Sequence, residues 1–164
     1  MRENLHTSTR IPVNDDYAAL VGKAVYVFAY YEWTIIYIID SFVNGFVSEY
    51  SRPTKRPFTS GDVYLKFKEI IDQTSFPWSN VSKSEIDECQ MHFKELIDKR
   101  NALIHAHPAT VKDGIQILAY QTQPSKPITD MIWTNSSIEE LIQEIDKMGV
   151  KAVNILEKLR NKSN

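Results

Sequence analysis

The chain has 164 residues, 43% of them hydrophobic and 24% charged, with a formal net charge of -2. That balance excludes a disordered chain and gives length enough for one domain with its own core. Near-neutral charge supplies no global attraction for nucleic acid, so such binding would need a local basic patch, and a single cysteine excludes an intrachain disulfide framework.

Residues 1–13 are polar and read as a loose lead-in to a single domain over 14–162, without the apolar run of a secretory signal. The reducing cytoplasm is the expected compartment. Asn14, Asp15 and Asp16 offer an N-cap and first-turn acids for a long helix running to about Val47. From Val25 to Phe46 that helix is apolar almost all round. Its length suits a membrane span, but Glu32 and Asp40 sit inside it and no lysine cluster flanks it, so a span is rejected. A helix apolar on every side has to be covered on every side. The bundle covers one face, and a second copy of the chain is the expected cover for another. Glu32, a carboxylate in mid-helix, then needs a cationic partner, and Arg100 is the candidate.

Residues 50–60 form a proline-punctuated loop whose Arg52, Lys55 and Arg56 are solvated cations or an RNA contact. Thr59 or Ser60 caps a helix through Gln73, with Val63, Leu65, Phe67, Ile70 and Ile71 as its apolar positions. A turn follows over 74–81, with Phe76 and Trp78 folded back on the core. The stretch 82–108 then opens with Ser82 and Glu85 at capping-box spacing and closes at Pro108. Ile86, Cys89, Phe93, Leu96, Ile97, Leu103 and Ile104 recur at helical spacing, and Arg100 falls in the middle of their stripe. Asn101 and His105, four apart, share its edge with Lys94 and Asp98. Arg100 either snorkels over the core and caps carbonyls or serves a site at the helix end. After Pro108, two β-branched and aromatic runs over 114–133 read as a hairpin leaning on the helices. Ser136 and Glu139 are placed to box the start of a closing amphipathic helix whose apolar positions include Val150, with Lys158, Arg160 and Lys162 at its end.

The run Arg100-Asn101-Ala102-Leu103-Ile104-His105 resembles the signature of the HEPN superfamily: an arginine, a polar residue directly after it, and a histidine a few positions on. The order of elements is similar as well. The resemblance implies an all-α, up-and-down bundle of four main helices, here with the small β-hairpin inserted between the last two. It implies a homodimer acting as a metal-independent endoribonuclease in toxin–antitoxin or anti-viral defence, with no cofactor and with a nucleotidyltransferase-like antitoxin as a further partner. The superfamily also contains noncatalytic members that bind RNA, a nucleotide or a protein.

Metal-free RNA cleavage needs a group to take the 2′-hydroxyl proton, one to protonate the leaving 5′-oxygen, and a cation for the charged transition state. Histidine suits the first two because imidazole titrates near neutrality, and arginine the third because its planar fork grips phosphate oxygens in pairs. One chain offers a single His105, so a two-fold dimer would supply the pair. The expected site is thus Arg100, Asn101 and His105, with Glu32 and His107 in support. His92, His105 and His107 lack a carboxylate or thiolate set at ligand spacing, so no metal site is expected. Cys89 faces the core and is no nucleophile.

Overall fold

The computed structural model describes residues 13–53, 56–121 and 131–161. They fold into helices α1 (Asp15–Phe42), α2 (Phe46–Tyr50), α3 (Ser60–Gln73), α4 (Lys83–Ile104) and α5 (Asn135–Arg160). Between the last two stand three short strands, β1 (His107–Thr110), β2 (Gln116–Tyr120) and β3 (Met131–Trp133). No helix among the described residues is long and apolar enough to cross a membrane.

Side-chain caps fix where the helices begin, each worth about 1 kcal/mol. Asn14 accepts from the Tyr17 N–H at 3.0 Å. Thr59 with Asp62, and Ser82 with Glu85, form reciprocal capping boxes. The box expected at Ser136 and Glu139 does not form: Thr134 takes the extended cap conformation directly after β3 and pairs with Ser137, leaving Ser136 already helical. Helix α1 likewise stops before Val47. Gly45 adopts a left-handed φ of 95°, and Asp40 Oδ1 accepts from both the Gly45 and Val47 N–H groups, starting α2 on a new axis.

The helix directions differ from the up-and-down order expected. Phe28 on α1 underlies Arg100, Tyr31 meets Phe93, and Phe42 at the far end meets Phe76 just past α3. Ser60, opening α3, bonds Arg100, near the end of α4. Hence α1 and α3 run parallel and α4 antiparallel to both. The reason is the connection: α2 folds back along α1, with Tyr50 edge-on to Trp33 at 5.3 Å, so α3 sets out again in the direction of α1. Bridges Lys158–Glu85, Lys151–Glu88 and Lys99–Glu144 then zip α5 antiparallel to α4.

Phe28, Tyr31 and Phe93 form the aromatic centre, with ring centroids 5.8–6.5 Å apart. The buried stripes are narrower than the apolar patterns in the sequence. Leu65, Ile104 and Val150 remain exposed because, among the described residues, no other element covers them on α3, α4 and α5. Trp78 is 40% exposed, touching Phe42 rather than entering the core.

The insertion is a three-stranded antiparallel meander in the order β1-β2-β3, one strand more than the expected hairpin. The extra strand is His107–Thr110, which pairs with Gln116–Ala119 through a turn where Asp113 and Gly114 both take positive φ. Tyr17 pins this sheet to the bundle. Its hydroxyl donates to the Trp133 carbonyl at 2.6 Å and accepts from the Leu118 N–H at 2.9 Å. The connection between β2 and β3 lies outside the described residues.

Candidate functional site

Arg100, Asn101 and His105 come together. They line one open cavity of about 440 Å³, with Lys94, Ile97 and Asp98 on the same side and Thr59, Ser60, Gly61 and Tyr64 of the α3 start opposite. The α4 side was legible from spacing. The α3 side was not, because its approach to α4 is a tertiary event. The one available signal was the Thr59-x-x-Asp62 capping box, which places a helix N-terminus there.

Arg100 is half-buried. Its guanidinium lies over the Phe28 ring, 4.6 Å from the centroid, and its Nη2 donates to Ser60 Oγ. A cation on an aromatic face is worth about 0.5–2 kcal/mol. Among the described residues no carboxylate pairs with Arg100, and its Nε is buried without a hydrogen-bond partner. The expected Glu32–Arg100 ion pair therefore does not form. Phe28 and Glu32 sit one turn apart on α1, and the guanidinium takes the ring, leaving Glu32 Oε1 buried and unpartnered. Both charges are still felt nearby. Burial raises the Tyr50 phenol above its ordinary pKa, the Glu32 charge raises it further, and Arg100 opposes them.

At the α3 start, Asp62 N–H is capped by Thr59 Oγ1 at 3.2 Å and Val63 N–H returns to the Thr59 carbonyl. The Ser60 and Gly61 N–H groups precede the helical ladder, as the first donors of any helix do, so the positive end of the α3 dipole faces the cavity beside Arg100. Asp62 is held below the usual carboxylate range by hydrogen bonds from Thr59 and, less strongly, by Arg56 at 3.5 Å. The negative charge on this side is thus turned back into the cap, and Lys94 binds Asp98 at 2.6 Å on the other. What the cavity offers a ligand is a guanidinium, helix-end donors, an amide and an imidazole, a set suited to an anion.

The remaining expected residues fall elsewhere. His107 stands exposed on strand β1, paired in register with Ala119, and does not line the cavity. Arg52 is exposed just past α2, Arg56 reaches the α3 cap, and Lys55 lies outside the described residues. Burial pushes the Cys89 thiol up to about 12, so it carries no thiolate at neutral pH. Among the described residues no group of three His, Cys, Asp or Glu side chains is placed to hold a metal.

A second surface stands apart from this cavity. Tyr26, Tyr30, Trp33 and Tyr37 lie within a sector of about 60° on α1, and all are exposed, Tyr26 by 74% and Tyr30 by 65%. Phe28 projects from roughly the opposite side of the helix. Tyr50 joins the two regions, touching Trp33 at 5.3 Å and Phe58, just ahead of the α3 cap, at 5.8 Å. In comparisons with known proteins, no family model, no curated protein and no solved structure matches the chain.

Proposed function

We propose that this chain is a metal-independent endoribonuclease of the HEPN type, acting as a homodimer in toxin–antitoxin or anti-viral defence. One observation carries the reading: the motif residues Arg100, Asn101 and His105 line a single open cavity that the α3 N-terminus also enters. Arg100 grips the scissile phosphate, with the helix-end donors sharing its charge. His105 takes or returns the proton, and Asn101 orients the phosphate or the imidazole. The second imidazole comes from a second copy of the chain. The partners that go with this reading are RNA and a nucleotidyltransferase-like antitoxin.

A noncatalytic helical module is the second reading, and one observation favours it. Arg100 already has a ring beneath it and a hydroxyl beside it, contacts that would also hold a purely structural arginine. Incubating wild type, His105→Ala and Arg100→Lys with mixed RNA in EDTA separates the two. The enzyme cleaves, and each variant loses about a hundredfold or more in rate at an unchanged melting temperature. Equal products from all three, or none from wild type, leaves the module.

A further inference from the structure

The Arg100 cavity holds one side chain whose role the motif does not explain. Ser60 is 8% exposed, and among the described residues Thr34 is the only other small polar side chain so buried. Thr34 satisfies its hydroxyl within its own helix, donating to the Tyr30 carbonyl one turn back at 3.1 Å, and Thr74 does the same with Ile70 at 2.7 Å. Ser60 opens α3 and so has no helical turn behind it. Its Oγ instead accepts from Arg100 Nη2, 40 residues away in sequence.

That contact settles what the others leave free. The Phe28 ring attracts the guanidinium charge but does not set the direction of its N–H groups. The Nε is buried with no partner, so it supplies no direction either. Among the described residues, the bond to Ser60 Oγ is the directional contact that the guanidinium makes. With Nη2 on Ser60, Nη1 is the nitrogen left for a ligand. Ser60 is itself held in place, because the capping box brackets it: Asp62 Oδ2 accepts from the Thr59 N–H at 2.9 Å, and Thr59 Oγ1 from the Asp62 N–H at 3.2 Å.

We propose that Ser60 is a positioning residue of this site: it turns the Arg100 fork so that Nη1 meets a phosphate oxygen of the RNA, and does not touch the RNA itself. The proposal rests on the nuclease reading. A misturned guanidinium still attracts the substrate by its charge. It no longer matches the charge that develops as the phosphate bond breaks, so the loss falls on kcat rather than KM.

Two readouts on the full chain test it. Steady-state cleavage of RNA in EDTA is expected to show kcat lowered about 10- to 100-fold in Ser60→Ala, with KM within about threefold of wild type. Ser60→Thr, which keeps a hydroxyl, is expected to recover most of the loss. Side-chain NMR of protein labelled in its arginines reports the contact without any cleavage, the Arg100 signals being assigned by their absence from Arg100→Lys. Resolved Nη protons are expected in wild type and Ser60→Thr, where the bonded amino group rotates slowly, and averaged ones in Ser60→Ala. The proposal is overturned if Ser60→Ala keeps the wild-type kcat, changes KM alone, or keeps the wild-type Arg100 signals. RNA left uncut by wild type, with the signals still differing, overturns the nuclease reading and the proposal with it, leaving the Ser60–Arg100 contact as a structural one.

Discussion

The two ends of α4 both carry charged residues and use them differently. At its start, Glu85 and Glu88 are tied across the seam to lysines of α5. At its end, Arg100 has a ring and a hydroxyl but, among the described residues, no carboxylate, beside the N-terminus of α3. The first end therefore keeps its main charges paired internally, whereas the second leaves a guanidinium able to meet an anion. The lesson is that a cavity's preference follows the charge left over after internal pairing, not the charges that line it.

Three substitutions bear on that comparison. The largest effect is expected at Phe93, which touches Phe28 and Tyr31 and so supports both ends at once. Phe93→Ala should cost about 3–5 kcal/mol in chemical denaturation. A loss below about 1 kcal/mol would mean that the ends are not built on a shared core.

Next is Tyr17→Phe, which acts only on the side where α4 hands over to the sheet. It deprives the Leu118 N–H and the Trp133 carbonyl of their shared partner, an expected cost of about 1–3 kcal/mol. Amide exchange should quicken at Leu118 while the α4–α5 seam stays protected; uniform quickening would show that the sheet and the bundle open as one unit.

The smallest effect is expected from Glu85→Gln, at the zipped end alone. Glu85 is held at about 2, chiefly by Lys158 and then by Ser82, below an ordinary value of 4.5. A lowered folded-state value means that the stability it contributes is present above about pH 4.5 and lost as pH falls toward 2. The carboxylate is more than a third exposed, so solvent screening keeps the contribution below about 1 kcal/mol. Denaturation midpoints at pH 6 and pH 3 should differ less in the variant than in wild type, and an equal difference would remove Glu85 from the acid response.

Local signals in the sequence set much of this molecule. Asn14 and the boxes at Thr59 and Ser82 fixed three helix starts, because an N-cap needs only residues three apart. The spacing of Arg100, Asn101 and His105 put all three on one side of α4, because helical period is local. Strand β1 was hidden because His107-Pro108 reads equally as a helix end, although Asp113-Gly114 carried the hairpin signal.

The tertiary structure decided the rest. Whether Arg100 met Glu32 or Phe28 depended on two side chains one turn apart on α1, which the periodicity of α4 cannot distinguish. That α3 would run parallel to α1 and bring its N-terminus to Arg100 depended on α2 folding back at Gly45. Sequence specifies what each helix can offer on a face; packing alone specifies which of those offers remain unanswered.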